Sequence, residues 1–282
     1  MSETLEKART AALTERIIKI GICVVVGCLG YWVEFEEGMI MSLVGFAVSF
    51  GVCWWAYSIL EKNRAYAAFI SLYKKEMIET ALRGSYIFEE MQLEYDCGIS
   101  ENAVNESGLI SANKFFSDCY ISGKYNGISF VQADVHNVRG ERGGYVLEYD
   151  GTYAVIPTEL PDAVQTNIAD KDVDISYIVS GKRYKTGNTE FDQAFKVYST
   201  DADQAAGLLS PMMINKLMYI RQRMSGRMAL TVKNGNMYIF MSRKKSPLKP
   251  GLFKKYDDEM KQSILAELSR VKLFIDAFSG EV

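Results

Sequence analysis

The sequence predicts an α+β protein, with an N-terminal transmembrane helical hairpin and a soluble domain of antiparallel strands packed with helices. Three observations predict this class: two long apolar runs near the N-terminus, strand-like segments in the middle of the chain, and an amphipathic helical stripe near its end. We expect residues 1–60 to form the N-terminal segment and both spans, residues 61–84 a stalk helix, and residues 85–282 a cytoplasmic α+β domain.

The two hairpin helices are predicted from their length and polarity. Ile20 to Val33 is apolar, and Ile17 to Lys19 extends it toward the roughly 20 residues that cross a hydrocarbon layer. Met39 to Leu60 carries no formal charge, and Trp54 and Trp55 near its end are typical of a membrane interface. A buried core hairpin is the alternative, and the tandem arrangement of the two runs argues against it.

The charges that flank these runs predict the orientation of the hairpin. Basic residues precede the first run and follow the second, whereas the loop between the runs is acidic. By the positive-inside rule, both termini are then cytoplasmic. Gly45 and Ser49 put small residues at four-residue spacing, which permits close helix contact either within the hairpin or with a second copy of the chain.

A helical pattern continues beyond the second apolar run. Apolar residues recur at three- and four-residue steps from Tyr66 to Ile78, and Gly84 is placed as a terminator. The pattern between Ser100 and Asp118 is weak, and a short helix over residues 111–116 is the interpretation that we adopt for it.

Antiparallel strands are predicted where β-branched and aromatic residues concentrate between polar or glycine-rich connections. These segments are Asn126–Val135, Tyr145–Ile156, Val173–Val179 and Phe195–Tyr198. Asn234-Gly235 joins two further apolar runs, Met228–Val232 and Met237–Met241, which predicts a hairpin because both turn residues tolerate positive φ.

Three helices are predicted in the C-terminal third of the chain. Asp201, with Gln204 three residues later, resembles a capping box, and Ser210-Pro211 places a cap before a proline at the first helical position. From about Asp257 to Phe278 the apolar residues form one stripe, which predicts a helix that packs on the sheet.

The order of these features resembles a bacterial family of two-pass membrane proteins that carries a domain of unknown function, often encoded near membrane proteins of the LemA type. The resemblance rests on the segments LEYDCGIS, SANKFFSDCYISGKYNGISFVQADV, FDQAFKVYSTDADQAAGLLSP and NGNMYIFM. Its strongest part is Phe191 to Pro211, where Gln204, Ala206 and Gly207 depart from the residues common in the family. The resemblance implies fold and topology, in the bacterial inner (cell) membrane, and it implies no activity.

Composition and single residues exclude several functions. A formal net charge of −3 gives no basic field, so a nucleic-acid partner is not expected. The five cysteines include no CxxC pair, which argues against a zinc knuckle or a disulfide framework. His136 is the only histidine, which excludes a His-rich metal site. We therefore expect no metal site and no cofactor, and an enzyme is the less favoured interpretation.

Three polar motifs have both a functional and a structural interpretation. His136 could be a general base, but a lone polar histidine at a strand end is favoured because no nucleophile stands beside it. The RGERGG motif lacks the spacing of a phosphate cradle. Asp170, Asp172 and Asp174 alternate, which indicates a solvated strand edge rather than a calcium loop.

The strongest local charge anomaly is a basic segment interrupted by prolines, which we name the basic loop. Its candidate lipid- or partner-binding residues are Arg243, Lys244, Lys245, Lys249, Phe253, Lys254 and Lys255. A basic loop held against the membrane gains about 1 kcal/mol per charge from anionic lipid. A merely solubilising loop is the alternative, and unchanged liposome binding after replacement of the six basic residues with glutamine would favour it.

The absence of a catalytic motif, together with the membrane anchor, favours a membrane-anchored protein-interaction or scaffold module, with the cytoplasmic sheet as the expected docking surface. The alternatives are a membrane-associated enzyme or effector, in which carboxylates perform the chemistry, and a module that senses anionic lipid. The expected partners are membrane lipid, a membrane protein or a second copy of the chain.

Overall fold

The computed structural model describes residues 3–33, 38–60, 64–85, 87–109, 115–141, 144–160, 166–173, 181–243, 248, 251–253 and 256–279. The chain divides into two compact units. The first unit comprises Met1–Thr80 and Leu248–Lys261, and the second comprises Ala81–Pro247 and Gln262–Val282. Each unit is therefore assembled from two separate stretches of the chain.

The first unit contains the helical hairpin, formed by α1 (Glu3–Val33) and α2 (Met39–Leu60). Both helices are long and apolar enough to span a membrane, and only 11% and 6% of their most apolar windows are buried. Large apolar side chains such as Val25 and Val52 are exposed along both helices. The predicted hairpin is thus present, and a buried core hairpin is not what these helices form.

Small residues bring α1 and α2 together. A Cβ atom added to Gly30 would lie 2.2 Å from Ser49 Oγ and 2.6 Å from the carbonyl oxygen of Gly45. The small residues at four-residue spacing on α2 therefore serve packing within the hairpin. Their use in self-association stays a prediction.

The helical stretch after the hairpin consists of α3 (Arg64–Tyr73), a π-helical turn (Lys74–Ile78) and α4 (Glu79–Ser85), which ends one residue beyond Gly84. Phe69 and Tyr73 of α3 are fully buried, and their ring centroids lie 5.9 and 5.1 Å from that of Tyr256. Burial raises the pKa of the Tyr256 hydroxyl to about 12, and this hydroxyl donates to the Gly251 carbonyl at 2.5 Å. Tyr256 therefore packs residues 248–261 into the first unit.

The second unit is built on a nine-stranded antiparallel sheet with the order β1-β2-β3-β4-β9-β8-β5-β7-β6. The strands are β1 (Glu89–Glu94), β2 (Phe115–Tyr125), β3 (Ile128–Glu141), β4 (Gly144–Pro157), β5 (Asn167–Asp170), β6 (Lys182–Tyr184), β7 (Phe195–Ser199), β8 (Met228–Lys233) and β9 (Asn236–Ser242). The remaining helices are α5 (Glu101–Ser107), α6 (Thr189–Ala194), α7 (Ala202–Leu208), α8 (Pro211–Arg223), α9 (Asp258–Leu268) and α10 (Arg270–Ser279).

Local signals predicted several of these elements correctly. The Asp201 carboxylate accepts from the Asp203 and Gln204 amides at the start of α7, and the Ser210 hydroxyl accepts from the Met213 amide at the start of α8. Asn234 and Gly235 have φ values of 53° and 68°, which is the conformation of the predicted hairpin turn.

Two local predictions were wrong. Phe115 and Phe116 begin strand β2 instead of ending a helix, and Val173 lies in a turn after β5. Residues 174–179 of the predicted strand lie outside the described residues. The strand in this region is β5, which begins at Asn167 and therefore precedes the predicted segment.

The predicted C-terminal helix is interrupted at Ser269. The Lys272 amide donates to the Ser269 carbonyl, so the Leu268 carbonyl lacks its usual helical donor. The buried amide of Gln132 on β3 donates to that carbonyl at 2.9 Å. A side chain of the sheet therefore stabilises the break between α9 and α10.

The two faces of β3 have different chemistry. Ala133 and Val135 join a hydrophobic core that includes Val104 of α5. Gln132, Asp134 and His136 lie on the opposite face and are also buried. The sheet consequently carries a row of polar side chains in its interior.

Candidate functional site: a buried charge cluster and its cavity

Strand register brings the polar residues of three neighbouring strands together. His136 on β3 is paired with Asp150 on β4, and Asp134 is paired with Thr152 on β4 and with Asp118 on β2. Residues paired across antiparallel strands point to the same face of the sheet. This register fixes a group of carboxylates around one imidazole.

Arg243, the residue after β9, lies at the centre of this group. Its Nη1 is 2.6 Å from Asp134 Oδ1 and 3.3 Å from Glu267 Oε1, and its Nη2 is 3.1 Å from Asp150 Oδ1. The side chain is 1% exposed. We call Asp134, His136, Asp150, Arg243, Glu267 and Arg270 the charge cluster.

The break at Ser269 contributes the other two members of the charge cluster. Glu267 lies in the last turn of α9 and Arg270 begins α10, and Arg270 Nη2 lies 3.2 Å from Glu267 Oε2. Arg270 also donates to the carbonyls of Ser225 and Ser242. The guanidinium of Arg270 therefore joins the helix break to the segment before β8 and to the last residue of β9.

Burial and charge act against each other in the charge cluster. Burial raises the pKa of the Asp134 carboxyl, and the guanidinium of Arg243 opposes that rise. Asp134, Glu267 and Asp150 raise the pKa of Arg243, so its guanidinium stays protonated despite its burial. For Arg270, burial lowers the pKa, the Glu267 carboxylate opposes that decrease, and repulsion from Arg243 adds to it.

His136 lies between two carboxylates in the interior of β3. Its Nδ1 is 3.1 Å from Asp150 Oδ1, and its Nε2 is 3.7 Å from Asp134 Oδ2. Neither ring nitrogen makes a hydrogen bond of good geometry. The expected position at a strand end was wrong, because β3 continues to Glu141 and the residue is 8% exposed.

Three residues at this end of the charge cluster have the chemistry of metal ligands. Asp118, Asp134 and His136 each offer one ligand atom, and these atoms lie within 4.8 Å of one another. Asp118 is half-buried, whereas Asp134 and His136 are buried. Carboxylate oxygen and imidazole nitrogen are both ordinary ligands for divalent ions.

A cavity of about 750 Å³ lies at the other end of the charge cluster. Arg243, Glu267 and Arg270 line it from the cluster side, and Lys272 and Asp276 line it from α10. With Arg223 at the end of α8, the cavity lining contains two carboxylates and four basic groups, and the cavity is large enough for a small polar molecule.

The two described residues of the basic loop's candidate set belong to different compact units. Arg243 belongs to the charge cluster in the second unit, where its buried side chain is unavailable to lipid. Phe253 belongs to the first unit and is 79% exposed. Lys244, Lys245, Lys249, Lys254 and Lys255 lie outside the described residues. For these residues, lipid or partner contact stays a prediction.

The interpretation of Asp170 as part of a solvated strand edge was wrong. Its side chain is buried at the end of β5, where one oxygen accepts from Arg221 Nε at 2.5 Å and the other from the Met228 amide at 2.8 Å. Asp172 is exposed beside Arg227, and Asp174 lies outside the described residues. Alternation assigned Asp170 and Asp172 to one solvated face, whereas in the structure Asp170 is buried and Asp172 is exposed.

Sequence reasoning missed the carboxylates of the charge cluster, although a signal was present. Polar residues alternate with apolar ones from Gln132 to His136, and again from Asp150 to Tyr153. A hairpin places these two polar rows side by side. The roles of Glu267 and Arg270 depend on the helix break, which the uninterrupted apolar stripe conceals.

Residues 149–279 match the family model described as "Protein of unknown function (DUF3137)". The matched segment contains Asp150, Arg243, Glu267 and Arg270, and it begins after Asp134 and His136. No curated protein and no solved structure matches the chain.

Proposed function

We propose that this chain is a membrane-anchored protein-interaction module. It is a two-pass protein of the bacterial inner membrane with both termini cytoplasmic, and its second unit docks the cytoplasmic segment of another membrane protein. Basic residues on both flanks of the exposed hairpin support this orientation. Protease treatment of inside-out vesicles should cleave the second unit, and protection of that unit would refute the orientation.

The observation that carries the docking proposal is a shallow cavity of about 440 Å³ between α8 and α10. Met212, Lys216 and Tyr219 line it, and Met212 is 61% exposed. The guanidinium of Arg223 lies 3.6 Å from the centroid of the Tyr219 ring. Methionine, tyrosine and arginine are the residue types enriched at protein interfaces.

The charge of this surface indicates the chemistry of the partner. Lys216 lines the cavity and Arg223 lies over the Tyr219 ring, so basic groups alternate along α8 with the apolar surfaces of Met212 and Tyr219. A partner segment with an apolar side chain between acidic residues would complement both features. We therefore commit to an acidic, partly apolar cytoplasmic segment as the occupant.

The described sheet edges offer a poorer docking surface. The edge strand β1 contains three glutamates and a register shift between Glu89 and Gln92. The opposite edge strand, β6, has only three residues, Lys182 to Tyr184. Charged residues, bulges and short length all discourage addition of another strand. This comparison favours helix α8 as the docking element.

Crosslinking and affinity capture of the full-length protein from native membranes tests this function. We expect a stoichiometric partner whose crosslinks map to α8, and we expect Met212→Glu to reduce its capture at least tenfold. The new carboxylate removes apolar contact and repels acidic groups of the partner. Gln204→Glu adds the same charge to α7, where Gln204 is exposed, and it should leave capture unchanged.

Two outcomes would contradict the proposed function. One is recovery of the protein alone or only with copies of itself. The other is a partner whose capture is reduced equally by Met212→Glu and by Gln204→Glu, because α8 would then not be the contact surface.

A further inference from the structure

We propose that Asp118, Asp134 and His136 form a binding site for one divalent transition-metal ion, with Mn²⁺ and Zn²⁺ as the best matches. This site is independent of the docking surface on α8. It involves different residues, and its test does not require a partner protein.

The first argument is the geometry of three adjacent positions on β2 and β3. Asp118 and Asp134 are paired across the two strands, and His136 follows Asp134 on the same face of β3. Two ligands that each lie about 2.1 Å from one ion are at most about 4.2 Å apart. The separation of 3.7 Å between Asp134 Oδ2 and His136 Nε2 meets this limit. The ligand atoms of all three residues lie within 4.8 Å of one another, so closing on one ion requires a shift of about half an ångström.

The second argument is the environment of the imidazole. His136 Nε2 is buried without a hydrogen-bond partner and is directed toward Asp134. On the opposite side of the ring, Nδ1 lies 3.1 Å from Asp150 Oδ1. A histidine that binds a metal commonly has its second nitrogen beside a carboxylate, which fixes the ring and makes the ligand nitrogen more basic. Asp150 is placed for this role.

Arg243 supplies a similar constraint on the carboxylate ligand. Its Nη1 lies against Asp134 Oδ1, and its Nη2 and Nε lie against Asp150 Oδ1. The Oδ2 atom of Asp134 is thereby turned toward His136. One guanidinium consequently orients both the ligand Asp134 and the residue that supports the ligand His136.

Electrostatics also favours a cation at this position. Asp118 and Asp134 are paired across β2 and β3, so their two negative charges lie close together. A divalent ion between the two carboxylates removes the repulsion between these charges. Asp118 is only half-buried, and it gives the ion a route from solvent.

The donor set selects the class of metal. Two carboxylates and one imidazole provide two oxygens and one nitrogen, without thiolate or thioether sulfur. Carboxylate oxygen suits Mn²⁺, and imidazole nitrogen suits Zn²⁺ and related ions. Three protein ligands would leave at least one coordination position for water or another small ligand.

Metal titration of the detergent-solubilised full-length protein tests the site. We expect one Mn²⁺ per chain by calorimetry and by loss of the free-ion electron paramagnetic resonance signal, with Zn²⁺ competing for the same position. Asp118→Asn and His136→Gln should each weaken binding at least 100-fold. Asp150→Asn should weaken it by roughly 10- to 100-fold, because it removes support from the imidazole and leaves the ligand in place.

Asp172→Asn is the matched control, because Asp172 is an exposed carboxylate of the same unit and is outside the site. Its affinity for Mn²⁺ should equal that of the unmodified protein. The absence of stoichiometric binding, or equal affinity in Asp118→Asn and the control, would overturn the proposal. Because Asp118 is half-buried, we expect Asp118→Asn to fold. This variant therefore decides the question even if His136→Gln does not fold.

Discussion

Replacement of Arg243 with methionine should lower the free energy of unfolding of the second unit by about 3–5 kcal/mol. Methionine fills much of the same volume but removes the positive charge. Asp134, Asp150 and Glu267 would then lose the guanidinium that all three share. The penalty arises chiefly from the buried Asp134 and Glu267, whose carboxylates cannot recover their hydration in the folded protein.

Thermal unfolding of the detergent-solubilised protein, monitored by a signal from the second unit, measures this effect. About 3–5 kcal/mol corresponds to a decrease of roughly 6 to 20 °C in Tm for a unit of this size. Arg227→Met is the matched control, because Arg227 is exposed and lies 3.4 Å from the exposed Asp172. An exposed pair contributes about 0–1 kcal/mol, so the control should change Tm by no more than about 4 °C. Equal decreases in both variants would show that the charge cluster is not stabilised through Arg243.

The second large effect is expected for Gly151→Val, in the middle of β4. A Cβ atom at this position would lie 2.2 Å from the Met241 carbonyl oxygen and 2.9 Å from the Phe240 ring. The oxygen belongs to the backbone of β9, so the contact can be relieved only by separating two paired strands. Gly151 also lies between Asp150 and Thr152, and a displaced β4 would disrupt the charge cluster.

We expect Gly151→Val to cost more than about 4 kcal/mol, which places it among the most destabilising single substitutions. Limited proteolysis should then cleave the second unit at concentrations of protease that leave the unmodified protein intact. Gly207→Ala is the comparison, because an added Cβ on this helical glycine has no neighbour within 4 Å. That change should stabilise α7 by up to about 1 kcal/mol. A protease-resistant Gly151→Val protein would mean that the space between β4 and β9 accommodates a valine side chain at this position.

The success of the sequence predictions depended on how local the determining interactions are. The hairpin at Asn234-Gly235 and the cap at Ser210 involve residues close in sequence, and both were predicted correctly. The break at Ser269 depends on Gln132, which is 136 residues away from the carbonyl that it binds. No periodicity within the helix could reveal that interaction.

The candidate site was harder to predict for the same reason. The alternation of polar and apolar residues around His136 was visible in the sequence. The burial of His136, however, results from other segments of the second unit that pack over this side chain. Arg243 was assigned to a basic surface loop on the basis of its neighbours in sequence, whereas its three carboxylate partners are distant along the chain. The run of basic residues therefore predicted a common solvent-exposed environment, but Arg243, its first member, is buried.

The discontinuous first unit has a consequence for the order of events during synthesis. The hairpin, α3 and the fully buried Phe69 are translated early, but the aromatic partner Tyr256 follows only after nearly the whole sheet has left the ribosome. At about 5–20 residues per second, the interval is roughly 10 to 40 seconds. During that time Phe69 and Tyr73 form an apolar surface that lacks its aromatic partner. A nascent chain arrested before Tyr256 should therefore bind chaperones, whereas the completed protein should not.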